Sequence, residues 1–193
     1  VNLNSDYRPL ARVALPFAGR QKYMHGFDCA APVMPDGFED YLEPVLTLLD
    51  AAGVRCGKAW MTVDEKVVKA GESQRRPGPH VDGKFNMKAV RWGGGGGGGW
   101  NHSCNLVPVS RTPVIVVASA VGCRAWRGQF EAQPRDDGDL SHIADALGAG
   151  EILPANIGYL LSGDCVHESI MLTEDTQRTF LRIALPQLEG VNE

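Results

Sequence analysis

The strongest periodic pattern in the chain lies over residues 38–52. Phe38, Tyr41, Leu42, Val45, Leu48 and Leu49 recur at the spacing of one helical face and predict a helix. Asp36-Gly37 precedes the stripe, and Gly53 follows where a left-handed cap is expected. Pro44 requires the regular part to begin close by, because proline is tolerated only in a first turn. Before this helix, residues 1–35 are rich in loop formers and predict an irregular stretch with one short strand at 12–15.

After Val54 the pattern changes to strands. The sequence predicts one at 59–63 and another at 66–69, separated by an acidic turn at Asp64-Glu65. Residues 112–119 form a continuous apolar run, as expected of a central strand buried on both faces, with 125–131 as its neighbour. Asp136-Asp-Gly-Asp is a loop leading to a short helix around 141–147, capped by Ser141 or Asp139. In 177–186, Thr179, Leu181, Ile183 and Leu185 fall on one face of a strand. Arg178, Phe180, Arg182 and Ala184 fall on the other. Many short strands after one clear helix predict a mainly β, α+β fold of jelly-roll or barrel type. The expected organisation is a single domain over 1–193, with an irregular and helical segment at 1–57 packed on a core at 58–186.

Composition narrows the class. Hydrophobic residues make up 44% and charged residues 22% of the 193, an ordinary globular balance. No apolar run approaches the roughly 20 residues a membrane-spanning helix needs, and no basic-then-apolar leader is visible, so a cytoplasmic protein is expected. The five cysteines are scattered without Cys-x-x-Cys spacing, which argues against a zinc ribbon or a disulfide scaffold. A net charge of −4 disfavours long nucleic acid as a partner, though not a single modified base. Arginines cluster locally at Arg75-Arg76 and across Arg124, Arg127 and Arg135. The first pair immediately precedes Pro77-Gly-Pro-His80 and is either solvated or turned toward an anionic substrate.

Chemistry concentrates in two segments, Pro79-His-Val-Asp-Gly83 and Asp164-Cys-Val-His-Glu168. In an extended strand His80 and Asp82 point to the same side, and His167 offers a third ligand from a distant strand. Two imidazoles and a carboxylate can hold a metal on one face and leave the other open. By the same parity Asp164 and Glu168 point away from His167, and Cys165 is expected to be a small buried side chain. Arg178 and Arg182 either face solvent or line an interior where a guanidinium can bind a carboxylate bidentately.

This set resembles the 2-oxoglutarate- and Fe(II)-dependent dioxygenases. The likeness covers about residues 70–186 and includes 151–162, which is similar to the turn and apolar strand preceding that family's distal histidine. It implies a double-stranded β-helix core of jelly-roll, cupin-like form, with His80, Asp82 and His167 as the catalytic iron ligands. It also implies that 2-oxoglutarate is held by Arg178, with Arg182 as the second candidate. Neither arginine is followed by the serine of the family's Arg-x-Ser pattern, which leaves the choice between them open. The implied partners are 2-oxoglutarate, O2 and an unidentified substrate whose C–H bond is hydroxylated, with release of succinate and CO2. A cupin-like metal-binding module without turnover and a zinc hydrolase using the same ligands are the alternatives.

Gly93–Gly99, seven glycines between Trp92 and Trp100, forms either a flap over the substrate or a passive spacer. His25, His102 and His142 are expected outside the ligand set, with His102 the substitute if one ligand fails.

Overall fold

A computed structural model describes residues 1–82, 112–135 and 137–185. His102 and the glycine run lie outside these residues. The described chain is mainly β, with two short helices: β1 (Asn2–Ser5), β2 (Tyr7–Arg12), β3 (Gln21–Asp28), α1 (Leu42–Ala52), β4 (Lys58–Val68), β5 (Val114–Ala118), β6 (Cys123–Trp126), β7 (Gly128–Glu131), α2 (Ala144–Leu147), β8 (Glu151–Ile152), β9 (Ile157–Leu161), β10 (Val166–Ser169) and β11 (Thr176–Ala184).

The strands form three antiparallel sheets. A six-stranded sheet runs β2-β9-β5-β11-β4-β3, a three-stranded sheet runs β10-β6-β8, and β1 pairs with β7. No closed barrel is present among the described residues. From β4 onward the chain passes repeatedly between the two larger sheets. After β4 a segment around His80 bridges to β10; β5 lies in the six-stranded sheet, β6 in the three-stranded one, β7 beside β1, β8 again in the three-stranded sheet, β9 in the six-stranded, β10 in the three-stranded and β11 in the six-stranded. No helix is long and apolar enough to cross a membrane.

Strand parity divides the core. Ile115 and Val117 of β5, Leu181 and Ile183 of β11, and Met61 and Val63 of β4 pack with Val45, Leu48 and Leu49 of α1. Val114, Val116 and Ala118 of β5 and Phe180 and Ala184 of β11 occupy the opposite face, with Ala125, Tyr159 and Leu161. Because β5 is buried on both faces, its sequence is apolar throughout, as expected of a central strand. A third cluster, including Leu3, Val81, Trp126, Leu140, Leu147 and Val166, lies behind the three-stranded sheet.

Several elements differ from the sequence expectation. The N-terminal 28 residues contain three strands, two of which extend the six-stranded sheet, and β2 ends where a strand was expected to start. Long-range pairing with β9 and β4 supplies order that local composition does not predict. The 59–63 and 66–69 segments are one strand, β4, with no acidic turn. Asp64 and Glu65 are each 1% exposed and are accommodated by specific partners. Gln21 Nε2 donates to Asp64 at 2.8 Å. Glu65 accepts from Arg20 Nη2 at 2.8 Å, Tyr41 Oη at 2.6 Å and the Arg20 amide at 2.9 Å. The 125–131 segment is split between β6 and β7 and does not neighbour β5. The α2 region has neither expected cap, because the Ser141 hydroxyl donates to Asp139 instead. In the main helix a 3₁₀ turn at Glu39–Tyr41 precedes α1, so Pro44 falls in the first α-turn and Gly53 caps the end at φ 76°.

Arg20 fastens this helix to the sheet. Besides Glu65 it holds Asp40 at 2.9 Å and lies 5.0 Å from the Phe38 ring centre. Burial would raise the Glu65 carboxyl, but the hydrogen bonds from Arg20 and Tyr41 outweigh it and hold the group at about 2. A depressed carboxyl stabilises the fold above its ordinary value of about 4.5, and that contribution is lost as pH falls toward about 2. Glu65→Gln should cost roughly 3 kcal/mol at neutral pH, since it breaks a buried ion pair. In urea unfolding the gap between parent and variant should narrow on acidification; a gap independent of pH would remove Glu65 as the source.

Candidate metal centre

The His80 segment is held by neighbours on both sides. The His80 amide donates to the His167 carbonyl at 3.0 Å, and the His167 amide donates back at 2.9 Å. On the other flank Val81 donates to Gly138, and Leu140 donates to Pro79. Arg76 adds an ionic tie to this loop, with Nη2 3.0 Å from Asp137 and 3.6 Å from Asp139.

Alternation then sends the side chains to opposite sides. Val81, 1% exposed, and Val166, fully buried, enter the cluster behind the three-stranded sheet. His80 and Asp82 therefore emerge on the other side, together with His167. Asp82 reaches within 3.8 Å of His167 Nε2. One ligand atom from each of the three residues lies within 4.8 Å of the others. The imidazole rings are 4.6 Å apart at 54°.

Both imidazoles are oriented by the backbone. His80 Nδ1 lies 2.8 Å from the Gly78 carbonyl, and His167 Nδ1 lies 3.0 Å from the Cys165 carbonyl. A carbonyl can only accept, so each Nδ1 carries a proton, which leaves Nε2 as the nitrogen that would bind a metal. Gly78 adopts φ 78°, a left-handed conformation that side chains rarely take, and this turns its carbonyl toward His80. Burial and the adjacent His167 hold His80 down at about 4, so its ring is neutral near pH 7, as a metal ligand must be. For Asp82 burial favours the neutral acid, but Arg182 and the two histidines outweigh it and hold the carboxyl well below its usual range. Two imidazoles oriented by the backbone and one ionised carboxylate fit a divalent transition metal.

Both arginines of β11 face this interior. Arg182, 5% exposed, lies on Asp82, with Nε at 3.0 Å and Nη2 at 2.8 Å from Oδ2. It braces a proposed metal ligand. Arg178 is 1% exposed and reaches the Ala120 carbonyl at 3.1 Å, Gln74 Oε1 at 2.5 Å and Cys123 Sγ at 3.3 Å. All three partners are neutral, and among the described residues no carboxylate contacts this guanidinium. A Cβ placed on Gly122 would stand 2.9 Å from its carbon, so glycine is what allows the arginine to seat there.

The remaining candidates fall elsewhere. Glu168 points away from the metal side, as parity requires, and pairs with Arg124 at 2.8 Å. Cys165 is 2% exposed within the inner core, and burial pushes its thiol up to about 12. His25 contacts the Val33 carbonyl, and His142 is exposed near α2. Arg127 and Arg135 pair with Asp6 and Asp139, so the cluster formed with Arg124 is not a free basic surface. Sequence reasoning missed Gln74, Gly122 and Cys123 around Arg178, which carry no motif, and the grip of Arg182 on Asp82.

Comparison with known protein families, with curated proteins and with solved structures finds no match to this chain.

Calorimetric titration with Co(II), a redox-stable divalent transition metal, should give one bound ion per chain. His80→Ala and His167→Ala should each weaken binding at least about a hundredfold while leaving urea unfolding of the metal-free protein nearly unchanged; Asp82→Ala should weaken binding as much and also lower stability, because it breaks the ion pair with Arg182. Parent-like affinity in the His167→Ala protein would exclude this ligand set.

Proposed function

We propose that the chain is an Fe(II)- and 2-oxoglutarate-dependent dioxygenase that hydroxylates a C–H bond of its substrate. The observation that carries this reading is Arg178: a guanidinium 1% exposed, on the same strand face as the Arg182 that braces Asp82, with only neutral partners among the described residues. A buried cation without an anion is costly, and a bound carboxylate would relieve that cost. A guanidinium has five N–H donors; the three protein contacts leave two for such a ligand. Neither a metal-binding module without turnover nor a zinc hydrolase needs a buried anchor of this kind.

The fold supports the same reading. Repeated passage between two facing sheets, with the His80 segment beside β10 at the edge of the smaller one, is the path a double-stranded β-helix takes. We therefore assign the core from β4 to β11 to the jelly-roll class.

His80, Asp82 and His167 would hold the iron. Bound there, Fe(II) supplies the oxygen chemistry: substrate C–H, 2-oxoglutarate and O2 become substrate C–OH, succinate and CO2. The protein's own work is positional. The backbone carbonyls of Gly78 and Cys165 hold both imidazoles in one tautomer, Arg182 keeps Asp82 ionised and aimed, and Arg178 holds the far carboxylate of 2-oxoglutarate.

Parent protein supplied with Fe(II), O2 and 2-oxoglutarate should form succinate slowly even without its substrate, and the His167→Ala protein should form none. Arg178→Ala should weaken 2-oxoglutarate binding by at least about a hundredfold, because loss of one partner of a buried ion pair costs roughly 3–5 kcal/mol. Arg178→Lys should restore only part of it, since an ammonium cannot reproduce the planar fork. Metal binding with neither succinate formation nor 2-oxoglutarate binding would leave the metal centre standing and end the dioxygenase reading.

A further inference from the structure

We propose that Arg75 receives an oxyanion of the substrate, a carboxylate or a phosphate, and that the substrate is therefore an anionic small molecule. This rests on the dioxygenase reading above. Among the arginines around the metal centre, the partners differ sharply. Arg76 contacts the Asp137 carbonyl, the Asp137 carboxylate and Asp139. Arg182 lies on Asp82, and Arg178 is bound by Gln74, Ala120 and Cys123. The guanidinium of Arg75 makes no hydrogen bond among the described residues. Its one polar contact is an ionic one, Nη1 to Asp64 Oδ2 at 3.6 Å.

The group is nevertheless held in place. Its central carbon lies 5.4 Å from the ring centre of Phe180 and 6.0 Å from that of Tyr23, so the planar cation rests against two aromatic rings. Its backbone amide donates to Ser169 Oγ at 3.3 Å, on the strand that carries His167. Asp64 is fixed in turn by Gln21. A cation positioned in this way, with its donors uncommitted, is pre-organised for a planar oxyanion.

Its place suits a substrate. Phe180 shares the inner face of β11 with Arg182, two residues away, or about 6.8 Å along a strand. Arg182 touches Asp82, so Arg75, Phe180, Arg182 and Asp82 form a continuous series of neighbours that leads from Arg75 to the metal ligands. The side chain is 25% exposed, which leaves it reachable from solvent, whereas Arg178 at 1% is enclosed. Enclosure suits a constant cosubstrate and reach suits a substrate that enters and leaves.

The test is phenylglyoxal labelling of the full-length chain, with rates read for each arginine by peptide mass spectrometry. Acetate or inorganic phosphate, compared with chloride at equal ionic strength, should slow labelling of Arg75 by about fivefold or more, as expected for a ligand occupying the guanidinium fork. Arg55, exposed and paired with Asp50, serves as the control and should not slow. Stronger protection by phosphate marks a phosphoryl substrate, and stronger protection by acetate a carboxylate. Equal slowing at Arg55, or none at Arg75, would overturn the proposal. So would protection by 2-oxoglutarate with Mn(II) well beyond that of acetate, because Arg75 would then belong to the cosubstrate. Arg75→Gln should retain parent Co(II) affinity; loss of metal binding would make Arg75 a support of the His80 segment and end the proposal. Failure of the dioxygenase reading looks different: no succinate from the parent, with Arg75 protection intact.

Discussion

The candidate site depends on one reciprocal backbone pair, His80 with His167. Two amide-to-carbonyl hydrogen bonds bind these residues to one another, and strand pairing of this kind places side chains of opposed residues on a common face. The two imidazoles meet because their backbones do. Alternation then adds Asp82 without further construction, since Val81 is drawn into the rear core and its neighbours must face forward. Tautomer follows from the same local geometry, because each Nδ1 finds a carbonyl two residues earlier in its own chain. Convergence and orientation of the ligand set thus come from backbone pairing and the burial of two valines.

Around this pair the inner face of the six-stranded sheet carries an unusual charge load. Arg178, Arg182, Asp64 and Asp82 all point between the sheets or to their edge, where desolvation is expensive. Each finds a different answer. Arg182 and Asp82 neutralise one another and in doing so fix a ligand. Asp64 is steadied by Gln21 and balanced by Arg75. Arg178 has hydrogen bonds but no countercharge among the described residues. On the opposite face Glu65 has a full set of partners and serves the attachment of the helix.

Some of this was legible in the chain before any coordinates. The helix could be read because its stripe is long, its proline sits in a first turn and its glycine cap is local. The β5 strand could be read because burial on both faces leaves only apolar residues. The two faces of β11 separated by parity alone, although whether the arginine-bearing one met solvent or the interior was left to the fold, which turned it inward and the apolar one toward the helix. The N-terminal strands were not legible, because their order comes from partners far along the chain, β9 and β4. The continuity of β4 was hidden by Asp64 and Glu65, which look like a turn until Arg20, Tyr41 and Gln21 are placed beside them.

What the sequence determined by itself was the local grammar: which residues alternate, which segment is helical, and which side chains can ligate a metal or pair with a carboxylate. These properties reside in a residue and its near neighbours, so order along the chain suffices to read them. Only the tertiary structure decided which of the four arginines near the metal ligands are engaged by neighbours. It gave Asp82 to Arg182, enclosed Arg178 among Gln74, Ala120 and Cys123, tied Arg76 to Asp137, and left Arg75 between two rings beside Asp64, its guanidinium making no hydrogen bond among the described residues. A guanidinium's role is set by the few ångströms around it, and residues distant in sequence supply those surroundings.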